Sequence, residues 1–118
     1  MSKLDEYDKI AQTDNFCPVQ EVLEIVSGKW AFLILYNLTK GTKRFSELER
    51  AIAGINTRML SKELKELEKN NLVTRKAYAT VPPTVEYSLT AQGQELQPIF
   101  EQLHKYGMKY LGRVEGRR

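Results

Sequence analysis

Residues 56–71, NTRMLSKELKELEKNN, constrain this chain more than any other stretch. At about 100° of turn per residue, a helix here brings Leu60, Leu64 and Leu67 within about 60° of one another. That apolar stripe requires a core. Arg58, Lys62, Lys65 and Lys69 gather within about 60° on the opposite side. Glu63, Glu66 and Glu68 fall on the flanks, so no acid interrupts the cationic face. Asn56 or Thr57 is suited to cap the helix by accepting from its free backbone N–H groups. Asn71 is suited to end it, because asparagine tolerates the left-handed conformation.

A basic helix face is most often only a solvated face, and its neighbours argue for more. A short helix signal over 45–52 precedes it, followed by the tight Ala53-Gly54-Ile55. Two stretches of strand composition follow, 72–78 and 84–89, separated by Ala79-Thr80-Val81-Pro82-Pro83. Proline does not feed a central ladder, so the segment between them reads as a projecting hairpin loop. Helix, turn, basic helix and hairpin, in that order, make a winged helix-turn-helix, in which the second helix enters the DNA major groove. The expected fold is mainly α with a small β-hairpin wing.

The charge distribution agrees. The formal net charge is only +3. Residues 1–28 carry two lysines against six acids, or −4; residues 29–78 carry eleven Lys and Arg against five Glu, or +6; residues 79–118 carry five against four, or +1. The surplus coincides with the helix-turn-helix and the first hairpin strand, as a phosphate-backbone partner requires. At 118 residues the expectation is one domain. The polar start, MSKLDEYDKI, lacks an apolar signal core, which suggests a cytoplasmic protein, and no apolar run suits a membrane. One His and one Cys are too few for a usual zinc site and exclude an internal disulfide. No phosphate loop or nucleophile motif points to a cofactor or an enzyme.

Along the chain, residues 1–14 suggest a helical or frayed arm through Leu4, Tyr7, Ile10 and Ala11. Pro18 is placed to open a helix through Val26, with Val19, Val22, Leu23 and Val26 as its core stripe. Residues 29–39 are apolar nearly all round and so form the central helix, with Trp30 and Tyr36 as core aromatics. Thr42-Lys43-Arg44 reads as a short strand or a loop. Ser46 and Glu49 have the spacing of a capping box. Thr90 caps a last helix from Ala91 to about Leu111, bent at Pro98 and loosened at Gly107. Its stripe of Leu96, Ile99, Phe100, Leu103, Tyr106 and Tyr110 exceeds what one small domain covers from within. It therefore marks a homodimer interface. Residues 112–118 are a charged tail. His104 has no visible catalytic or metal partner and reads as a surface or interface residue.

These residues resemble a known family. Cys17-Pro18-Val19, Gly28-Lys29-Trp30, Arg44-Phe45-Ser46-Glu47-Leu48, Gly54-Ile55, Met59-Leu60, Leu67-Glu68 and YATVPPTVEYSLTAQG at 78–93 look like the HxlR-type regulators. Those are small bacterial winged-helix transcription factors related to the MarR group. The resemblance spans about residues 15–111. It implies a homodimer on a pseudo-palindromic operator in double-stranded DNA, with the wings flanking the recognition helices. Asn71 stands where many members have Gly, Asn56 where Ser is usual, and Tyr106 where Trp is frequent. The DNA-facing set is then Arg44, Asn56, Thr57, Arg58, Ser61, Lys62, Lys65, Lys69, Arg75, Lys76 and Thr80. Base readout is assigned to the N-terminal half of the basic helix.

Cys17 is the one candidate for reactivity. A helix N-terminus favours thiolate over thiol, and some members of the family sense electrophiles or oxidants through this cysteine. Its bland alternative is a small buried hydrophobe. With no second Cys, any disulfide joins two subunits or takes up a small thiol. A winged helix that only docks proteins, without specific DNA binding, is the alternative function.

Overall fold

The computed structural model describes residues 17–112. The expected arm at 1–14 and nearly all of the tail at 112–118 lie outside the described residues. In chain order the elements are α1 (Pro18–Val26), α2 (Lys29–Leu38), β1 (Lys43–Arg44), α3 (Phe45–Ala51), α4 (Thr57–Lys69), β2 (Val73–Tyr78), β3 (Thr84–Leu89), α5 (Ala91–Gln94) and α6 (Gln97–Tyr110). The three strands form an antiparallel sheet in the order β1-β3-β2. Of Thr42-Lys43-Arg44, the last two thus form a strand, with Lys43 opposite Tyr87 and Arg44 opposite Glu86. The β2–β3 hairpin runs in register from Val73–Leu89 to Tyr78–Thr84.

The core lies where α2, α3 and α4 meet the sheet. Ile34, Leu35, Leu48, Leu60, Leu64, Leu67 and Val73 are its fully enclosed side chains. Each buried leucine stabilises the fold by about 1.5–3 kcal/mol relative to exposure. α2 is central as expected, burying Ala31, Ile34, Leu35 and Leu38. Its Tyr36 is not a core aromatic. The ring is 37% exposed, stacked on Phe32 at 5.9 Å, with the Lys40 ammonium 4.8 Å from its centroid. Lys40 gives the phenol ring a cationic cover where a core would have given an apolar one. Trp30 packs half-buried against the core.

One helix cap and one helix start differ from expectation. α3 begins at Phe45, where the helix signal over 45–52 starts, so the N-cap is Arg44, two residues before the expected Ser46. The Arg44 N–H donates to Glu47 Oε1 at 2.7 Å, so Glu47 rather than Glu49 closes the first turn. The C-terminal segment forms two helices, not one bent helix. Pro98 has no N–H to give and sits in the first turn of α6, where none is needed. The chain reaches it through tight turns, with Leu96 N–H donating to Gly93 O at 3.0 Å. α6 then runs unbroken through Gly107.

A knot of hydrogen bonds fixes the base of the wing. Asn71 adopts φ +64° just past the end of α4. Its carbonyl accepts from the Thr90 hydroxyl at 2.7 Å, and that oxygen in turn accepts from Gly93 N–H at 2.9 Å. The Asn71 amide donates to Gln92 Oε1 at 3.0 Å. Gly93 must be glycine here: a Cβ would stand 2.4 Å from the Leu72 carbonyl oxygen.

Of the stripe expected to bury α1, only Val26 is enclosed; Val19, Val22 and Leu23 are exposed. Val22 lines a shallow groove with Leu96 and Ile99, so the free faces of α1 and α6 adjoin.

Candidate nucleic-acid interface

The connection between α3 and α4 is short because Gly54 supplies φ +88° and Ile55 anchors the turn in the core. Asn56 is the cap of α4. Its Oδ1 accepts from Met59 N–H at 2.8 Å. With Leu60, Leu64 and Leu67 fixing the inner face, Arg58, Lys62, Lys65 and Lys69 all stand exposed on the outer one. Ser61 is half-buried at the edge of that face.

The sheet brings Arg75 to this face. A groove of about 480 Å³ between α4 and the sheet is lined by Ser61, Lys65, Glu68 and Arg75 over a floor that includes Phe45 and Tyr87. Lys65 and Arg75, ten residues apart in sequence, thus flank one cleft. Lys76 does not join them. Successive strand residues point to opposite faces. Lys76 sits opposite Glu86 in the register, and its ammonium lies 5.3 Å from the Tyr78 ring centroid. Arg44 is exposed at the other edge of the sheet.

Two polar candidates have hydroxyls already engaged. Thr80 donates to Pro82 O at 2.7 Å and lies 3.1 Å from Thr84 Oγ1, so it closes the wing loop on itself. Thr57 donates to the Glu49 carboxylate, tying the start of α4 back to α3. Sequence reasoning missed Glu49 in this role, having placed it in a cap. It also missed Val81, which is fully exposed at the wing tip. A valine directly before Pro-Pro in a hairpin loop was the available signal for the latter.

Cys17 is the N-cap residue of α1, half-buried, with an extended backbone. Its carbonyl accepts from Glu21 N–H at 2.9 Å, while its thiol makes no capping hydrogen bond. On α6, Ile99, Leu103, Tyr106 and Tyr110 are exposed, as an interface stripe requires. Phe100 is not part of it. The ring is 5% exposed and meets Phe32 edge-on at 4.9 Å, because it sits about 100° round the helix from Ile99, on the side that meets α2. Leu96 is half-buried against the core. Among the described residues no three His, Cys, Asp or Glu side chains cluster as a metal site would. No helix among them is long and apolar enough to cross a membrane.

Residues 25–115 match the HxlR-like helix-turn-helix family. The chain belongs to that family. It is 42% identical over 105 residues to the HTH-type transcriptional regulator YdeP of Bacillus subtilis, covering 87% of this chain and 82% of YdeP. A MarR-family transcriptional regulator from Porphyromonas gingivalis W83 superposes with a TM-score of 0.77 at 44% identity, over 83% of this chain and 96% of that one. The redox regulator HypR in its oxidized form superposes with a TM-score of 0.74 at 41% identity, over 82% of this chain and all of HypR. The chain is thus a winged-helix transcriptional regulator of HxlR type, a family of DNA-binding proteins without enzymatic activity.

Proposed function

We propose that residues 1–118 act in the cytoplasm as a single DNA-binding domain that pairs into a homodimer and binds a pseudo-palindromic operator. The observation that carries this reading is the outer face of α4, where four cations oppose three buried leucines. In a dimer, two such helices set about 34–36 Å apart meet successive major grooves. Arg58, Lys62, Ser61 and Thr57 then lie toward the bases, while Lys65 and Lys69 lie toward phosphate. Arg44 approaches the backbone from the start of α3 and Asn56 from the start of α4. Arg75 extends the Lys65 cleft along the strand, and Lys76, from the opposite face of β2, reaches the phosphates flanking the wing, whose loop Thr80 holds closed. The free faces of α6 and α1 supply the dimer contact, through Ile99, Leu103, Tyr106 and Tyr110.

The test is a gel shift with the DNA upstream of the chain's own coding sequence, against an unrelated duplex, over a series of salt concentrations. A retarded complex specific to the upstream DNA is expected. Arg75→Gln and Lys76→Gln should each flatten the salt dependence by about one unit. Equal or negligible binding to both duplexes would instead favour a protein-docking winged helix.

A second reading concerns the input. The similarity to HypR, itself a redox regulator, favours Cys17 as the point where an oxidant or electrophile acts. Cys17 opens α1, which adjoins α6, so modification there bears on the spacing of the two recognition helices. Wild-type and Cys17→Ser proteins treated with diamide and assayed for operator binding decide it. A response in wild type alone is expected; equal responses place the input elsewhere.

A further inference from the structure

The engaged hydroxyl of Thr57 bears on which bases α4 accepts. Thr57 is the first residue of α4, at the end that reaches deepest into a major groove. A threonine hydroxyl has one proton and two acceptor lone pairs. Left to rotate, it accepts from an amino group or donates to a keto oxygen equally well, which is why threonine is a poor base reader. Here its proton is given to the Glu49 carboxylate, a charge-assisted bond. The outward side of the oxygen is left with lone pairs only. The carboxylate beside it is likewise an acceptor. The N-terminal end of α4 therefore presents an acceptor patch from Thr57 and Glu49, next to the donor fork of Arg58.

We propose that Thr57, with its proton held by Glu49, is a specificity-determining residue. It accepts from the exocyclic amino group of an adenine (N6) or a cytosine (N4) and disfavours the keto oxygens of thymine and guanine. Every base pair carries one such amino group in the major groove, on the adenine or the cytosine. The consequence is a particular pattern. One position of each half-site groups adenine with cytosine against thymine with guanine on the strand that α4 faces. This rests on the operator reading above and assigns one contact within it. Glu49 is a positioning residue, acting through Thr57.

Selection from randomised duplexes tests it, using the full chain, Thr57→Val, Thr57→Ser and Glu49→Ala. Valine keeps the shape and lacks the hydroxyl; serine keeps the hydroxyl. Wild type and Thr57→Ser should show one amino-against-keto position with about fivefold discrimination, the worth of one hydrogen bond. In Thr57→Val that position should flatten. In Glu49→Ala the hydroxyl is free to rotate, so the discrimination should collapse although the hydroxyl remains. A selected duplex with the relevant adenine replaced by nebularine, or cytosine by its analogue lacking the amino group, should bind wild type about fivefold more weakly and Thr57→Val unchanged. The inference is overturned if the preference survives in Thr57→Val or Glu49→Ala. It is also overturned if the affected position separates purine from pyrimidine, or if amino deletion weakens both proteins equally. A mere staple between α3 and α4 lowers affinity for all duplexes alike, which also overturns it. If no duplex is enriched by wild type, the operator reading itself fails.

Discussion

In α4, Leu60, Leu64 and Leu67 are 0%, 1% and 1% exposed; in α6, Ile99, Leu103, Tyr106 and Tyr110 are 53%, 59%, 62% and 62% exposed. The two helices have nearly equal lengths, 13 and 14 residues, and both carry apolar side chains at spacings of three and four. Their surroundings differ. α4 lies between α2 and the hairpin, and its leucines close the core. α6 leaves the core after the Leu96 turn, held chiefly by Leu96 and by Phe100 against Phe32. Periodicity therefore announces an apolar face without saying what covers it. In α4 the cover is the chain itself. In α6, on the proposed reading, it is a second copy.

The comparison breaks most sharply at its buried side. Leu64→Ala leaves a cavity among enclosed neighbours and should destabilise the protein by about 2–5 kcal/mol. The denaturant midpoint measures this. If Leu64→Ala costs no more than a surface substitution, the α4 stripe is not the keystone described. Leu103→Glu, on the open side, should leave the secondary structure intact. It should move the protein from dimer to monomer in sedimentation at micromolar concentration. A Leu103→Glu protein that stays dimeric removes α6 from the interface.

The outer face of α4 sharpens the same contrast from the side opposite the leucines. Arg58→Ala should leave the denaturant midpoint within about 0.5 kcal/mol, as at other exposed positions. It should weaken operator binding by about 1–3 kcal/mol if the guanidinium reads a base. Unchanged binding by both Arg58→Ala and Lys62→Ala would falsify the base-reading assignment.

Much of this was legible in the residues because local rules and packing agree. The α4 leucines, the Gly54 turn, Asn71 at positive φ, the Thr90 cap and the strand 84–89 each follow from short-range chemistry that the tertiary fold leaves undisturbed. The failures share a cause: each depended on what lies across space. Val19, Val22 and Leu23 have the period of a core helix but no cover among the described residues. Phe100 belongs to the core because α2 stands beside it and Phe32 meets its ring. Glu49 and Glu47 both have cap-like spacings. Only the start of α3 at Phe45 decides between them and releases Glu49 to Thr57. Within the candidate site, the alternation of β2 separated Arg75 from Lys76, a distinction that charge counting passes over.

The smallest effect tests the start of α4. Asn56 holds its Oδ1 on the Met59 N–H at 2.8 Å, satisfying one of the donors a helix leaves free at its first turn. Alanine cannot replace that acceptor, so Asn56→Ala should cost about 1 kcal/mol of stability. Serine also caps well, so Asn56→Ser should lose only a few tenths of that. The cap holds the first turn, and that turn carries Thr57 and Arg58. The loss should therefore appear twice, in the denaturant midpoint and as fraying of amide protection confined to residues 57–60. A core substitution lowers protection across the whole of α4 instead. If Asn56→Ala behaves in that second way, the N-terminal turn is not an independently anchored end but an extension of the leucine core. The separation drawn between the two faces of the helix would then not hold at its tip.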